Sequence, residues 1–532
     1  MSVGVVDLAD AAALDLGAEL LGSKGAGLAA MTRLGLPVPL GFVVTTEVGR
    51  AFLRDGEIPP EVRAAIRDGV RRLERKTGRR LGDPRAPLLV SVRSGATVSM
   101  PGMMSTVLNV GAIAVVPFDA EHPSRFELDT RRRFQRNYAT TVLGLDEEPF
   151  AALEGPRRAA RHTDDRRRLE ELVRGSGEIV AASGRAIPDD AREQLEAAVL
   201  AVLASWMSPR AQVYRELHGV PDELGTAVIV QAMVFGNRDE TSATGVAFSR
   251  DPTTGEPKPY GDVLFTAQGE DVVAGREPTD RLSALAGELP DVWDQLLLAM
   301  STLEGHLRDM CYVEFTIESG RLWLLQVRPG GCTDRAAVRV AVDLADEGLI
   351  SRADAIRRVT PAQVGVSTVT AIRTGEATRV VATGLGASPG VATGRIATTS
   401  EEAIHLAKTG PVILVRPMTS PIDMHGIAAA DGILTSTGGL ASHADVVARS
   451  MAKPAVVGAS DVDIDTAAGT VTVGRTVLRT GDVLSIDGSS GTVVAGDVQT
   501  SHPQPDRHLK RLLCWSDAIA GTQHHESHEQ RI

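Results

Sequence analysis

The pattern of apolar positions in the N-terminal half of the chain predicts segments of helix and segments of strand. A glycine-rich turn over residues 20–27 runs into a stretch with helical spacing. Two apolar runs, at residues 42–46 and 87–96, predict buried strands, the second of which ends in a polar turn. Residues from about 120 to 225 are rich in charge and have helical periodicity, so we expect a set of helices with solvated charged faces there.

The pattern becomes strand-like from Thr226 onward. Apolar runs there predict several strands, and the run from Cys311 to Gly330 predicts a hairpin that turns at residues 318–320. Helical periodicity returns over residues 333–378, where we expect a helical connecting arm. Short strands then alternate with helices from about residue 384 to 496, which indicates a further α/β unit.

Length and charge narrow the class of protein. The 532 residues exceed what one hydrophobic core organises, so we expect several domains. A net charge of -12 argues against general affinity for nucleic acid or an anionic membrane surface. The N-terminus lacks the basic start of a signal peptide, no apolar run is long enough to cross a membrane, and the three cysteines lie far apart in the sequence. We therefore expect a cytoplasmic protein.

The first candidate site combines two basic residues with glycine-rich segments. Lys24 lies in the glycine-rich turn that enters a helix, which is a geometry that binds phosphate. Arg93 lies near the end of the predicted strand at 87–96 and is followed by small and hydroxylated residues. An arginine is costly to bury without an anionic partner, and its planar fork suits phosphate oxygens. These two segments together suit a polyphosphate.

The predicted hairpin supplies acidic and amide groups. Glu314, Thr316 and Glu318 share one face of its first strand, and Gln326 and Arg328 share one face of its second. Carboxylate and amide oxygens, completed by nucleotide phosphates, are a common environment for Mg²⁺. The alternative is an edge hairpin whose polar residues simply face solvent.

The strongest single signal surrounds His443. A predicted strand is followed by two glycines, and the histidine then falls in the first turn of the next predicted helix. A helix N-terminus stabilises a phosphoryl group, and an oriented imidazole is a competent nucleophile. A histidine with a purely structural role is the alternative.

The chain resembles the pyruvate phosphate dikinase family, within the wider group that includes phosphoenolpyruvate synthase and rifampicin phosphotransferase. The stretches that carry the resemblance occur in the same order along nearly all of residues 15–500: LLGSKGAGLAAMTRLGLPVPLGF, PLLVSVRSGATVSMPGMMSTVLN, VQAMVFGNRDETSATGVAFSRDPTTGE, AQGEDVVAG, VEFTIESGRLWLLQVR, TGLGASPGVATG and GGLASHADVVAR.

The resemblance implies a fold class, α/β and α+β in several domains. An ATP-grasp nucleotide-binding domain would cover residues 1–332, with a second subdomain from about residue 226. A helical connecting arm would follow over residues 333–380, and a swivelling α/β phosphohistidine domain over residues 381–498. The remaining residues, 499–532, would form a polar arm or tail.

The resemblance also implies roles for individual residues, with ATP and Mg²⁺ as cofactors. His443 would be the phosphorylated nucleophile, with Arg328 and Arg93 as the other catalytic residues. Glu314 and Gln326 would hold the metal. The residues expected to bind the nucleotide are Lys24, Arg93, Gly95, Arg133, Gln231, Glu270, Glu314, Gln326 and Arg328.

The sequence departs from the family pattern at two positions and at its C-terminal end. Tyr312 stands where the family has an acidic residue two places before the metal-binding glutamate, and Ala441 replaces the threonine that is phosphorylated in plant relatives. The sequence stops at Ile532, where the family's C-terminal pyruvate-binding barrel begins.

We therefore expect a phosphotransferase that forms AMP and passes the phosphoryl group of His443 to an acceptor bound elsewhere. That acceptor is either pyruvate on a separate subunit or a small-molecule hydroxyl or amine. Either inorganic phosphate or water would take the second phosphate. The alternative function is a catalytically weakened ATP-binding regulatory or interaction module.

Overall fold

A computed structural model of the chain divides into two units, Met1–Arg238 with Trp323–Val327, and Asp239–Leu322 with Arg328–Ile532. The residues that the structure describes are 4–84, 86–98, 100, 102–112, 124–155, 166–273, 279–366, 371–372, 379–420, 423–437, 447–449, 451–474, 476–501 and 507–520.

The first unit combines a sheet with helices. Its strands are β1 (Val5–Asp7), β2 (Gly41–Val44), β3 (Arg80–Leu81), β4 (Pro87–Leu88), β5 (Val90–Ala96), β6 (Thr106–Val110) and β7 (Thr226–Ala232). Its helices are α1 (Leu8–Ala13), α2 (Ala18–Arg33), α3 (Thr46–Asp55), α4 (Pro60–Thr77), α5 (Arg125–Thr141), α6 (Glu148–Glu154), α7 (Arg166–Ala182), α8 (Ala191–Ala204) and α9 (Pro209–His218).

The main sheet of this unit is antiparallel, with the strand order β1-β2-β7-β5-β6. Alternate residues of a strand point to opposite faces. Val90 and Val92 of β5 enter a hydrophobic core that also contains residues of α4 and α8. The intervening residues of β5, among them Arg93 and Gly95, therefore lie on the other face, where α2 packs.

The charge-rich region contains the helices that the sequence predicted. Five helices, α5 to α9, occupy the described residues between 124 and 218. In α7, Arg166 bonds to Glu170 at 2.9 Å and Arg168 approaches Glu171 at 3.4 Å. This pairing along one helix confirms a solvated charged surface for the described part of the arginine run.

The second unit begins with another sheet and continues into helices. Its first strands are β8 (Ala243–Phe248), β9 (Tyr260–Phe265), β10 (Asp280–Arg281), β11 (Cys311–Glu318) and β12 (Arg321–Pro329). The helices among and after them are α10 (Gly269–Val273), α11 (Leu285–Glu288), α12 (Pro290–Leu307), α13 (Asp334–Asp346), α14 (Arg352–Arg358) and α15 (Pro361–Val366).

The order of strands in this sheet is β10-β9-β8-β11-β12. The predicted hairpin is confirmed, since β11 and β12 are joined at Ser319 and Gly320, whose φ angles of 50° and 72° suit a tight turn. Residues 323–327 of β12 group with the first unit, where the amide of Leu324 donates to the carbonyl of Pro37 at 2.7 Å.

The remaining elements of the second unit form two further sheets, a short ribbon and a terminal helix. The strands are β13 (Ala371–Ile372), β14 (Val380–Thr383), β15 (Leu385–Ser388), β16 (Val391–Ala397), β17 (Val412–Arg416), β18 (Gly432–Thr435), β19 (Ala455–Val457), β20 (Val462–Asp465), β21 (Thr470–Val473), β22 (Thr476–Arg479), β23 (Val483–Asp487), β24 (Thr492–Ala495) and β25 (Thr500–Ser501). The helices are α16 (Ser400–Ala407), α17 (Met424–Ala429) and α18 (Arg507–Ala520).

The larger of these sheets has eight strands in the order β14-β24-β23-β16-β17-β18-β19-β15. Its strands β16 to β19 run parallel. Val412 and Leu414 of β17 pack into a core shared with α16 and α17, whereas Ile413 and Val415 enter a second core shared with β20 and β21. The sheet is therefore covered on both faces, as parallel strands require.

The connecting segments of the second unit pack together. Helix α18 contacts α13 and α14, and its residues Leu509, Leu512 and Trp515 are buried in their core. Strands β13 and β25 pair with each other in antiparallel fashion. The sequence predicted a polar arm or tail over residues 499–532. Of these, residues Arg507–Ala520 form the amphipathic helix α18, whose apolar residues recur at helical spacing.

None of the helices in the described parts of the chain is both long enough and apolar enough to cross a membrane. The three cysteines are all described and all carry free thiols. Cys311 is buried, Cys332 is half-buried and Cys514 is exposed.

Candidate functional site

Arg93 lies in the middle of β5, on the face of the sheet opposite the core. Its Nη1 atom donates a hydrogen bond of 3.0 Å to the carbonyl oxygen of Leu325, and its backbone pairs with Thr106 and Ile229. The side chain is half-buried. Because a backbone carbonyl already orients this guanidinium, little further ordering is needed for it to meet an anion.

The glycine-rich segment packs directly against the end of β5. Helix α2 breaks at Gly22, which has φ 68° and ψ 164°, and a Cβ on Gly22 would lie 1.6 Å from the carbonyl oxygen of Gly95. The hydroxyl of Ser23 donates to the carbonyl of Ala96 at 2.8 Å. A Cβ built on Gly95 would lie 3.8 Å from the Cβ of Lys24. The predicted turn is thus a kink within a helix, and it brings the two glycine-containing segments together.

Two residues expected at the nucleotide make internal contacts in the first unit. Gln231 is 1% exposed, and its side-chain amide donates to the carbonyl of Pro39 at 3.0 Å. Arg133 bonds to the carboxylate of Asp129 at 2.8 Å, and Arg132 bonds to the same carboxylate at 2.7 Å. Burial acts to raise the pKa of Asp129, but the charges of the two guanidinium groups outweigh it and hold that pKa well below its usual range. The side chains of Gln231 and Arg133 therefore stabilise the first unit through internal contacts.

In the second unit, Glu314 of β11 and Arg328 of β12 lie on neighbouring strands. Glu314 is half-buried in β11 and pairs with Val246 of β8. Tyr312 lies two residues earlier on the same face and is 4% exposed. The guanidinium carbon of Arg328 lies 4.1 Å from the centre of the Tyr312 ring. Burial raises the pKa of Tyr312 above its usual range, with Glu314 adding to the rise and Arg328 opposing it, so the phenol is neutral near pH 7.

Two nearby residues, Phe248 and Arg449, were not identified from the sequence. Phe248 packs its ring against the Tyr312 ring, with centres 5.0 Å apart, and the guanidinium carbon of Arg449 lies 5.8 Å from the centre of the Phe248 ring. Burial lowers the pKa of Arg449 to about 10, and the positive charge of Arg328 contributes to the lowering. The only available signal was that Arg449 ends the motif that contains His443.

The candidate metal-binding residues are a carboxylate and an amide. Glu314 lies in β11 and Gln326 in β12, and both are half-buried. Glu270, expected at the nucleotide, is half-buried in α10. Among the described residues, no group of three or more His, Cys, Asp or Glu side chains is placed to hold a metal ion. The oxygens of Glu314 and Gln326 are of the types that Mg²⁺ accepts, and this ion commonly completes its shell with phosphate oxygens and water.

His443 lies outside the described residues, but the chain on both sides of it is anchored. After β18, the hydroxyl of Thr435 donates to the carbonyl of Thr437 at 2.8 Å, and the hydroxyl of Thr437 donates to the carbonyl of Pro417 at 2.7 Å. On the other side, Val447 and Ala448 are helical and buried in the core of the eight-stranded sheet. Both ends of the His443 segment are therefore held by this sheet.

Comparison with protein families gives two matches along the chain. Residues 18–68 and 50–296 match the family described as "Pyruvate phosphate dikinase, AMP/ATP-binding domain". Residues 408–491 match "PEP-utilising enzyme, mobile domain". These matches confirm the expected fold class, with one match on each side of the helical segment α13 to α15.

Similar proteins are named as dikinases. "Pyruvate, phosphate dikinase" of Rhizobium meliloti (strain 1021) is 44% identical over 524 residues, which cover 94% of this chain and 58% of that protein. The protein of the same name from Clostridium symbiosum is 41% identical, with coverage of 94% and 59%, and "Pyruvate, phosphate dikinase 2" of Zea mays is 44% identical, with coverage of 94% and 58%. The chain thus spans less than two thirds of the length of these relatives. By the extent of the family match and the colinear similarity, the chain belongs to the pyruvate phosphate dikinase family.

Proposed function

We propose that the protein is an ATP-dependent phosphotransferase that phosphorylates its own His443 and then passes the phosphoryl group to a second acceptor. The observation that carries this proposal is the packing of Gly22 against Gly95. This contact brings Lys24 to the end of the strand that holds Arg93. Two cationic residues beside glycine-lined backbone form a suitable environment for a chain of phosphates.

The first unit would hold the phosphates of ATP. In this proposal Lys24 and Arg93 contact phosphate oxygens, and Gly95 lets the backbone approach them closely. Gln231 and Arg133 would also bind the nucleotide, and their bonds to Pro39 and Asp129 would hold them in place. The bond from Arg93 to a strand carbonyl supports its role, because a pre-oriented cation needs no reorganisation during the reaction.

The residues of the β11–β12 hairpin would supply the metal ligands and a further cation. The carboxylate of Glu314 and the amide oxygen of Gln326 would hold Mg²⁺, which offsets phosphate charge when bound. Arg328 would neutralise the phosphoryl groups in transfer, and Glu270 would contact the nucleotide. The stacking of Arg328 on Tyr312 supports this role, because a ring face holds the guanidinium while its N–H donors lie in the guanidinium plane.

His443 would supply the nucleophile. One imidazole nitrogen attacks the β-phosphorus of ATP, the bond from that phosphorus to the AMP oxygen breaks, and AMP leaves. The histidine then carries two phosphoryl groups, of which the outer one passes to inorganic phosphate or to water. The phosphohistidine that remains transfers its group to the acceptor, which restores the free imidazole. The hydrogen bond of Thr435 to Thr437 and the burial of Val447 and Ala448 on the other side of His443 support this role, because both flanks are ordered.

The proposed acceptor is either pyruvate on a separate subunit or the hydroxyl or amine of a small molecule. The names of the relatives support a phosphoryl acceptor of the first kind, since each is called a pyruvate, phosphate dikinase. A second candidate function is an ATP-binding regulatory module with weakened turnover. The presence of Tyr312 where the family has an acidic residue favours this second candidate.

Incubation with MgATP tests the proposal. Intact-mass measurement should show a phosphate adduct that is labile to acid and stable to base, with AMP as the nucleotide product. His443→Ala should abolish the adduct, whereas His405→Ala, which changes an exposed histidine of α16, should retain it. ATP binding without any adduct would favour the regulatory module. An adduct that persists undiminished in His443→Ala would refute the assignment of the nucleophile.

A further inference from the structure

Two aromatic rings and two guanidinium groups alternate in the second unit. Phe248 ends strand β8 and Tyr312 lies directly opposite it on β11, as a register pair. Both side chains are almost completely buried, at 3% and 4% exposure. Their rings meet at an interplanar angle of 63°, in an edge-to-face arrangement. Such a pair is rigid, because both backbones belong to the same ladder and aromatic rings prefer this geometry.

Each ring of the pair also faces one arginine. Arg328 lies 4.1 Å from the centre of the Tyr312 ring, and Arg449 lies 5.8 Å from the centre of the Phe248 ring. Both distances are within the range in which a cation is attracted by the face of an aromatic ring. The two rings thus connect Arg328 of β12 with Arg449, which follows His443 in the sequence.

The two arginines also influence each other electrostatically. Burial and the charge of Arg328 lower the pKa of Arg449, while Cys332, Tyr312 and Tyr260 act in the opposite direction. Two like charges placed close together repel each other, and an anion between them relieves this repulsion.

We propose that Phe248 and Tyr312 form an aromatic seat that holds Arg449 close to Arg328, so that both guanidinium groups act on the phosphoryl group in transfer. This inference rests on the proposed function. Phe248 and Tyr312 are positioning residues, since they act through the two arginines. A cation on a ring face separates more easily than a bidentate ion pair, so Arg449 can leave the seat once transfer is complete.

A double-mutant cycle tests the seat through the reaction. Phe248→Leu keeps an apolar side chain but removes the ring face, and it should slow single-turnover phosphohistidine formation about tenfold at saturating MgATP, with unchanged ATP affinity. Phe248→Tyr keeps a ring face and should retain the wild-type rate. Combining Phe248→Leu with Arg449→Gln should be no slower than Arg449→Gln alone, because both changes remove the same contact. If the losses in rate were fully additive, or if only ATP affinity fell, the proposed seat would be refuted.

A second measurement tests the seat without any turnover. The chain has four tyrosines, so fluorine NMR of protein labelled with 3-fluorotyrosine gives few resonances. Tyr312→Phe identifies one resonance and Tyr260→Phe another. Arg449→Gln should shift both, since Arg449 acts electrostatically on both rings. Arg511→Gln, which removes an arginine near Trp515, is the matched control and should leave both unchanged.

The two measurements separate the possible failures. If the wild-type protein forms no phosphohistidine, the proposed function and the transfer role of the seat both fail, while a shift of the Tyr312 resonance in Arg449→Gln would still place Arg449 near the aromatic pair. If the wild-type protein is phosphorylated but Arg449→Gln leaves the Tyr312 and Tyr260 resonances unmoved, the seat is refuted and the proposed function stands.

Discussion

The two five-stranded sheets of the protein each present an arginine, but they hold it by different means. In the first unit, Arg93 lies within β5 and donates a hydrogen bond to the carbonyl of Leu325. In the second unit, Arg328 lies near the end of β12 and stacks on the ring of Tyr312. A hydrogen bond fixes both the distance and the direction of a guanidinium, whereas a ring face fixes mainly its distance.

This difference predicts which substitutions each of the two arginine sites tolerates. The first unit depends on close backbone contact, since Gly22 leaves no room for a side chain beside Gly95. In the second unit, the position of Arg328 depends on a buried aromatic ring, and such a ring attracts any cationic side chain long enough to contact it. We therefore expect the first site to be sensitive to small changes in geometry and the second to be sensitive mainly to loss of charge or of the ring.

The largest effect is expected when either arginine is removed. Arg93→Ala and Arg328→Ala should each lower the rate of phosphohistidine formation by on the order of a hundredfold or more, because each cation would offset charge on the phosphates in transfer. The rate is measured in a single turnover with labelled ATP, and circular dichroism checks the fold. Near-normal rates in both variants would place the nucleotide elsewhere.

The next largest effect is expected from backbone crowding at Gly22 in the first unit. Gly22→Ala should lower the free energy of unfolding of the first unit by about 2 kcal/mol or more, since the added Cβ would overlap a backbone oxygen. Gly35→Ala is the matched control, because Gly35 has a similar φ of 72° but no neighbouring atom within 4 Å. Thermal unfolding of both variants measures the difference. Equal losses would show that positive φ alone, and not the contact with Gly95, makes Gly22 necessary.

A smaller effect should distinguish the two ways of holding an arginine. Lysine also interacts with ring faces but lacks the planar fork, so Arg328→Lys should retain roughly tenfold more activity than Arg93→Lys. Single-turnover rates of the two variants at saturating MgATP give the ratio. A ratio near one would mean that hydrogen-bond direction and ring stacking matter equally at both sites.

The smallest effect is expected at the end of the chain. Truncation after Ala518 should leave phosphorylation unchanged, because Ile519 is 59% exposed and the helix residues that pack precede it. Trp515→Ala provides the contrast, since this side chain is buried against α13 and α14 and its loss should lower the melting temperature. A loss of phosphorylation in the truncated protein would assign a role to the residues removed.

Local patterns were enough to predict much of this structure. The hairpin of β11 and β12 followed from two strand-like runs joined by Glu318, Ser319 and Gly320, because a strand period and a turn are both local properties. The buried strand that contains Arg93 followed in the same way. The helices of the charge-rich region followed from their periodicity.

Contacts between distant segments could not be predicted in this way. The kink at Gly22 looked like a turn before a helix, since the crowding that requires glycine comes from Gly95 on another element. The terminal helix α18 looked polar because its buried residues, such as Trp515, are covered by helices far away in the sequence.

The sequence by itself determined the family, the order of the elements and the residue types available for phosphate and Mg²⁺ chemistry. These follow from motifs and periodicities that lie within short segments. The tertiary structure alone decided that Gly22 meets Gly95, that Tyr312 stacks on Arg328 and that Arg449 reaches the ring of Phe248. Such pairings depend on how strands and helices pack across long separations in the chain, and hydrophobic periodicity carries no information about which partner a buried face will meet.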